Sequence, residues 1–447
     1  MSMALFQKKI SAVKVPHHKN TAEMQSVIAP PPAEVLIPTN MHSGDAAIPI
    51  VQPGDHVFLG QLIAKEEGKN SSPVHATVSG TVKAVEAYKL TGRPAQAIRI
   101  ESDGKMERDP ALAPPQVSDL DSFLQAVRDA GIVGLGGAAF PVWAKLDAVR
   151  KNPIKTVLIN GAECEPFITS DHRMMLEHAD WIKKGVDLLK KYLKSEEFII
   201  GIESNKPDAI AHLREVFAED SSVNVMPLDS VYPQGAKQVL LFNATGKVVG
   251  PGQRLASLGV IIINVTSLAM VGRYFIDGTP LISRSITVDG SAIARPGNVE
   301  FPIGTPLSYV AEYCGGWKEQ PAKVIYGGPM MGKTVQSLKA PILKATNAVL
   351  FFNEADSRKT DPVPCIHCGR CVEACPLGLN PTAFAHAMER EDDEERAAIL
   401  TKEQVSLCME CGSCTFVCPA HRPLAESNHA AKGFIRSYNN ARKEGGK

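Results

Sequence analysis

The sequence predicts a multidomain chain of α/β plus β architecture, and three observations predict it. Between residues 33 and 110, short apolar runs alternate with turn residues, the mark of a small β-barrel. Between residues 116 and 280, strand-like and helix-like segments alternate, which argues a parallel sheet covered on both faces. Between residues 365 and 419 the run Cys365-Ile-His-Cys368-Gly-Arg-Cys371-Val-Glu-Ala-Cys375-Pro376 returns as Cys408-Met-Glu-Cys411-Gly-Ser-Cys414-Thr-Phe-Val-Cys418-Pro419. A chain of 447 residues, 44% hydrophobic and 21% charged, suits three or four domains with cores of their own. Its formal net charge of zero argues against a nucleic-acid partner, which selects for a basic face.

Residues 1–32 read as a solvated N-terminal arm, with His17-His18 lacking the helical i, i+4 spacing of a metal pair. No stretch approaches eighteen apolar residues, so a soluble or peripheral protein is expected. In the barrel region, Val35-Leu36-Ile37 and Ala47-Ile48-Pro49-Ile50 are strand runs, and Pro53-Gly54-Asp55 is turn punctuation. Two further short strands are expected within residues 72–82. The pattern is similar to lipoyl and biotinyl carrier barrels, but Lys65, Lys69 and Asn70 near the tip form no carrier motif, so a scaffold is expected. Residues 110–115 are a proline-rich linker.

The α/β region opens with a cap, Ser118-Asp-Leu-Asp121, and a helix facing inward through Phe123, Leu124 and Val127, ended by Gly131. Gly134-Leu-Gly136-Gly137-Ala138-Ala139-Phe140-Pro141 then runs into an expected helix at 142–150. Such a loop either binds phosphate through free N–H groups or simply turns. Strands are expected at 156–160, 198–202, 223–225 and 260–265, with helices at 171–194, 207–218, 237–242 and from 267. After the first of these strands comes Gly161-Ala-Glu163-Cys164-Glu165-Pro166, an acidic loop where α/β folds place ligands, or an ordinary turn. Residues 281–340 fit a small β-grasp module, with Met330 and Met331 as core or interface residues. A charged helix at 389–396 joins the cysteine runs, and the tail 429–447 reads as basic and weakly helical.

Each cysteine run is C-x2-C-x2-C-x3-C-P, the spacing that wraps an iron–sulfur cubane with three cysteines and sends the fourth to a neighbouring cluster. One [4Fe-4S] cluster is therefore assigned to Cys365, Cys368, Cys371 and Cys418, and the other to Cys375, Cys408, Cys411 and Cys414. Zinc sites use pairs of pairs rather than three cysteines in a row, and disulfide frameworks belong to small secreted chains. Of ten cysteines only Cys164 and Cys314 lie outside the runs, and the rest imply a reducing compartment. With eight thiolates filling the ligand places, His367 is left to tune a cluster or face solvent.

Several separated motifs match known families. Gly134-Leu-Gly136-Gly137-Ala138-Ala139-Phe140-Pro141 with Lys145, Asn160-Gly-Ala-Glu163-Cys164-Glu165-Pro166 and Asn264-Val-Thr-Ser-Leu-Ala269 resemble the NADH-binding, FMN-carrying subunit of respiratory complex I. The order of barrel, flavin domain, β-grasp module and doubled cysteine run resembles the RnfC family, the peripheral NADH-binding subunits of ion-translocating ferredoxin–NAD oxidoreductases. The resemblance implies six parts. They are an N-terminal arm (1–32), a lipoyl/biotinyl-like β-barrel (33–110), a Rossmann-like FMN/NADH domain (116–280), an SLBB-like β-grasp module (281–345), a two-cluster ferredoxin-like helical domain (355–428) and a basic tail (429–447). It implies Gly134, Gly136, Gly137, Lys145, Asn160 and Asn264 around FMN, with Phe140, Glu163 and Glu165 at the nicotinamide side. Leu135 stands where the complex I family has Arg, and Ala162 where it has Asp.

The function so implied is exchange of a hydride between NAD(H) and FMN and of single electrons between FMN and two [4Fe-4S] clusters. The cofactors supply that chemistry, and no protein nucleophile or acid is required. The implied partners are membrane and iron–sulfur subunits of the same complex, with ferredoxin as indirect electron donor. The implied place is peripheral, at the cytoplasmic face of the bacterial membrane. Two rival readings share the parts: a soluble cobalamin reductase of microcompartments, and an electron-wire subunit without its own flavin.

Overall fold

The computed structural model describes residues 10–90 and 93–445. Residues 1–9 of the expected arm and 446–447 of the expected tail lie outside the described residues. The barrel is built from two small sheets. One orders Glu34–Pro38, Arg93–Ser102, Gly80–Leu90 and His56–Val57; the other orders Ile48–Pro49, Leu62–Lys65 and Val74–His75. Alternation sends Val35, Ile37, Val82, Ile98 and Ile100 inward, while Lys83, Glu86, Arg99 and Glu101 pair on the outside. In place of a short strand near residue 82, the structure has one long antiparallel hairpin whose register shifts between Val82 and Ala84.

In the α/β domain the four strands are all parallel, in the order Val223–Leu228, Glu197–Glu203, Thr156–Gly161, Val260–Asn264. Helix Leu120–Asp129 starts at Asp119, whose carboxylate accepts from Ser122 N–H while the Ser122 hydroxyl accepts from Asp119 N–H. The helix expected over 171–194 is two helices, Ser170–Glu177 and Ala179–Leu193. His178 leaves the helical region at φ −137° and stacks on Trp181 with ring centroids 3.8 Å apart, which turns the chain between them. The expected 142–150 helix is one turn of α-helix, Val142–Leu146, continued as the 3-10 turn Asp147–Arg150.

The N-terminal arm departs most from expectation. It is not solvated: Val13, Val15 and Thr21 are buried, and the Lys19 side chain, 13% exposed, turns into the α/β domain. Its Val27–Ile28 strand adds in parallel to the edge of the β-grasp sheet, beside Gly297–Pro302. That sheet runs Val27–Ile28, Gly297–Pro302, Ser283–Asp289, Ala348–Phe352, Lys323–Tyr326, Lys333–Thr334. Ala348–Phe352, buried along its whole length, lies past the expected end of the module yet forms one of its central strands.

Three helices, Pro381–Met388, Asp393–Lys402 and Leu424–Gly445, close the C-terminal unit on a core of Leu379, Phe384, Leu400, Val405, Ala431 and Ile435. The charged linker helix begins at Asp393, because the Asp392 carboxylate caps it at Glu395 N–H. The tail is one 22-residue helix rather than a weak one, pinned by Ala431 and Ile435 in that core.

A single buried ammonium joins three of these parts. Lys344 Nζ donates to Pro73 O at 2.6 Å, Gly131 O at 2.8 Å and Ser72 Oγ at 3.3 Å. Gly131 sits at φ +66°, and a Cβ there would stand 2.8 Å from Pro73 O, so only glycine lets the helix end reach the barrel. Lys344→Met is expected to leave both carbonyls without a donor in the core. It should lower the urea midpoint by the equivalent of about 2 kcal/mol, the scale of an unsatisfied buried acceptor.

Candidate functional site

Strand order locates a crevice. From Thr156–Gly161 the chain winds outward through Glu197–Glu203 to Val223–Leu228, then returns to place Val260–Asn264 on the other side of the first strand. The sheet therefore switches direction between Thr156–Gly161 and Val260–Asn264, and open α/β sheets bind ligands outside the strand C-termini at such a point. Asn160 and Asn264 are register partners there. The glycine loop lies against Asn264: a Cβ on Gly136 would sit 3.4 Å from its amide nitrogen. Gly134 N–H donates to Phe140 O at 2.8 Å, which closes the loop and leaves Gly136, Gly137 and Ala138 exposed at its tip. Gly137 has φ +103°, a conformation that a side chain would strain.

The helix terminus beside that tip is not the short 142–146 turn. It is the N-terminus of Val265–Asp277, capped by Asn264 Oδ1, which accepts from Ser267 N–H at 3.0 Å. Leu135 N–H donates to Ser267 Oγ at 2.8 Å, while the Leu135 side chain is fully buried in the core. The substitution of Leu for Arg thus leaves the loop tip open. Ala162 is likewise buried, with its carbonyl held by Lys206 Nζ at 2.8 Å.

A continuous polar chain runs from the crevice into the domain. Asn264 Nδ2 donates to Asp171 Oδ2 at 2.7 Å, Thr266 Oγ1 donates to Asp171 Oδ1 at 2.5 Å, and Asp171 N–H donates to Glu163 Oε1 at 2.6 Å. Glu163 stands at φ +50°, with its Oε2 buried and without a hydrogen-bond partner, 4.0 Å from Lys19 Nζ. Lys19, from the N-terminal arm, donates to the carbonyls of Glu163 at 2.8 Å, Glu165 at 2.9 Å and Ile168 at 2.5 Å. Burial pushes the Glu163 carboxyl up, and the Lys19 ammonium opposes it. Glu165 points away from the Asn pair: its carboxylate accepts from Met330 N–H at 3.0 Å and Met331 N–H at 2.8 Å, which ties the acidic loop to the β-grasp module.

The residues present fit a flavin phosphate. Exposed glycine backbone stands next to a helix N-terminus, which together favour an anion. Lys145, half-buried, donates to Ile262 O at 2.9 Å on the second strand of the crevice. Its pKa is lowered to about 8, first by burial and then by the neighbouring Lys237. Asn160 Nδ2 meanwhile holds Gly235 O at 2.9 Å, folding the 232–236 loop over the strand end.

The two cysteine runs share one backbone. His367 and Glu410 take φ +53° and +57°, and each donates its N–H to the sulfur two residues back, Cys365 or Cys408, at 3.4 Å. Gly369 and Gly412, at φ +78° and +80°, then start the one-turn helices that carry the third cysteine. Cys375 joins Cys408, Cys411 and Cys414 around one pocket, and Asn428 lines it with them. Cys371 lies in electrostatic reach of Cys418 and Cys365. The crossing of the fourth cysteines fits the two-cluster pattern. Among the described residues no three His, Cys, Asp or Glu side chains gather closely enough to hold one metal ion. The four inner cysteines stand around a pocket, an arrangement that suits a cubane.

Sequence reasoning missed Lys19, Lys237, Tyr232 and Asn428, each brought to the site only by tertiary packing. Tyr232 Oη donates to Cys411 O at 2.7 Å, and Met330 O lies 2.8 Å from where a Cβ of Gly412 would be, so the second cysteine run docks on the α/β and β-grasp units. His18, weighed as a metal ligand, stacks on Phe167 at 4.8 Å.

Comparison with known proteins adds four family matches. The Nuo51 FMN-binding domain matches residues 127–273, the RnfC barrel sandwich hybrid domain 9–105, the SLBB domain 285–334 and the 4Fe-4S dicluster domain 363–422. The chain is 40% identical over 380 residues to the C component of the Na(+)-translocating ferredoxin:NAD(+) oxidoreductase complex of Acetobacterium woodii, covering 84% of this chain and 86% of that one. It is 40% identical over 371 residues to the proton-translocating counterpart of Clostridium ljungdahlii, covering 82% and 81%. It is 37% identical over 427 residues to the matching component of the ion-translocating oxidoreductase complex of Rhodobacter capsulatus, covering 94% and 81%. A crystal structure of NAD+-reducing [NiFe]-hydrogenase in the air-oxidized state shares the fold, with TM-score 0.51 and 22% identity over 71% of this chain and 63% of that one.

The clamp and the acidic loop can each be tested. Lys19→Met should speed amide hydrogen exchange across residues 163–169 at least about tenfold, because three carbonyls lose their donor; Lys19→Arg should recover part of the protection. Glu165 has its pKa raised to about 7 by burial. A carboxyl raised in the folded state contributes stability that is full below its unfolded value, about 4.3, and is lost as pH rises through about 7. The urea midpoint should therefore fall between pH 5 and 8, and Glu165→Gln should flatten that slope.

Proposed function

Because the chain belongs to the RnfC family, whose members serve ion-translocating ferredoxin:NAD(+) oxidoreductase complexes, we propose that its Asn160–Asn264 crevice is where NAD(H) meets a bound FMN, and that its two cysteine groups carry single electrons onward. The chain is an oxidoreductase subunit with an FMN-binding domain and a 4Fe-4S dicluster domain. One observation carries the reading: two register-paired asparagines at the switch point, with the exposed glycine tip packed on one of them. When bound, FMN exchanges a hydride with NAD(H) and single electrons with an iron–sulfur cluster.

The residues divide the work by position. Gly136 and Gly137 offer backbone N–H groups and room, Gly134 closes the loop beneath them through Phe140 O, and the N-terminus of Val265–Asp277 favours the phosphate. Asn160 and Asn264 hold the strand ends and the loops above them. Glu163 with Phe140 forms the nicotinamide side, its backbone held in the left-handed region by Lys19. Glu165 anchors that side to the β-grasp module instead of facing the nucleotide. Hydride exchange itself asks none of these side chains to act as acid or base.

Packing also orders the clusters. Cys411, Cys164, Tyr232 and Met330 belong to one apolar cluster, so the Cys375/Cys408/Cys411/Cys414 group stands next to the crevice. The Cys365/Cys368/Cys371/Cys418 group faces outward, with Cys368 exposed beside Ile366 at 64% exposure. With clusters bound, the inner group would lie between the crevice and the outer one. The outer face suits an iron–sulfur subunit of the complex, with ferredoxin further upstream. No helix among the described residues is long and apolar enough to cross a membrane. A peripheral seat on membrane subunits at the cytoplasmic face fits this.

Reconstitution should give about one FMN and about eight iron per chain, the content of two cubanes, and NADH should reduce both clusters and an added dye. Cys375→Ser should remove only the inner cluster and stop NADH from reducing the outer one. A chain that holds FMN and both clusters yet stays inert to NADH would refute this reading.

A further inference from the structure

Asn428 lies on the C-terminal helix Leu424–Gly445, ten residues past the last cysteine and outside both cysteine runs. Its side chain is nevertheless buried, at 2% exposure, in the wall of the pocket that Cys375, Cys408, Cys411 and Cys414 surround. Its amide nitrogen stands 3.6 Å from Cys408 Sγ and 3.7 Å from Cys414 Sγ. An amide nitrogen carries two protons, so one group serves both sulfurs. The Asn428 carbonyl oxygen has no partner, a cost borne only because the N–H groups face the sulfurs. Among the described residues, no side-chain N–H reaches Cys365, Cys368, Cys371 or Cys418; Cys365 receives only the His367 backbone N–H.

We propose that Asn428 sets the reduction potential of the inner cluster, raising it by donating its two amide protons to the Cys408 and Cys414 sulfurs. Reduction places a further negative charge on the cluster and its thiolates. Donors aimed at those sulfurs stabilise the reduced form, and hydrogen bonds to sulfur are one of the levers that set such potentials. Burial acts in the opposite sense: Cys411 and Cys414 are buried here, whereas in the outer group Cys371 is buried and Cys368 exposed. The asparagine thus offsets part of the penalty for placing this cluster inside the protein, where contact with the crevice requires it. Lys432 acts on Cys408 through its charge and not through a hydrogen bond to sulfur. Its ammonium donates to Cys408 O at 2.7 Å and is also paired with Glu410.

The proposal rests on the two-cluster reading, and its test separates the two. The full chain is reconstituted with iron and sulfide and titrated by EPR; the inner signal is the one that Cys375→Ser removes. Wild type lacking two distinct signals would sink the cluster assignment itself. With both present, Asn428→Leu, which keeps the shape and removes the donors, should lower the midpoint of the inner cluster alone. The expected change is about tenfold in its reduced-to-oxidised ratio at fixed potential, about 59 mV for one electron. An unchanged inner midpoint, or an equal shift of both clusters, overturns the proposal. Should Asn428→Leu fail to hold the inner cluster, Asn428→Ser decides: its single hydroxyl donor should give a smaller shift in the same direction, and no shift overturns the proposal.

Discussion

A buried ammonium from the first twenty residues holds the acidic loop of the crevice in place. Lys19 satisfies three carbonyls of residues 163–168, a stretch that contains two non-glycine residues in the left-handed region, Glu163 and Phe167. Each left-handed residue costs of order 1 kcal/mol or more and persists only where its surroundings over-determine it. Lys19 supplies much of that surrounding, helped by Thr21 on Thr169 and by the His17 carbonyl, which accepts from Phe167 N–H. Remove this clamp and the loop loses its reason to point Glu163 into the Asp171–Asn264 network. The arm is thus part of the α/β domain in all but sequence position.

The site is assembled at a junction of units that are distant in the chain. Glu165 ties the acidic loop to the β-grasp turn at Met330 and Met331; that turn packs on Gly412; and Tyr232 reaches Cys411. Short hydrogen bonds and close backbone approaches, rather than a long flexible tether, set the spacing between crevice and inner cluster. The proposed electron path depends on that spacing.

Much of this was legible in the linear chain, for identifiable reasons. Cluster cysteines announce themselves because ligation imposes a spacing that nothing else needs twice. The parallel sheet was legible because fully buried strands such as Val260–Asn264 read as unbroken apolar runs. Asn160 and Asn264 stood out through motif resemblance, and their register pairing explains why an asparagine stands at the end of each strand. What escaped was tertiary. A lysine in a polar arm looks solvated until its three carbonyl partners, some 144 to 149 residues away, are in view. Asn428 sits in a helix whose composition says only that it is polar. The loop tip was expected to rest on the helix after Pro141; it rests on the one after Asn264, because Leu135 and Ser267 lock it there.

The arm's burial has a consequence for how the chain comes to be made. Asn298 donates its amide to Thr21 O, 277 positions earlier, and Val27–Ile28 pairs with a strand that begins at Gly297. Ribosomes add roughly 5–20 residues per second, so these first residues wait roughly 14–55 s before their partners leave the exit tunnel. During that interval Val13 and Val15 still lack Ala374 and Cys411 of the cluster they enter. Until those partners are made the arm's apolar side chains stay exposed, and a holding chaperone would have them to cover.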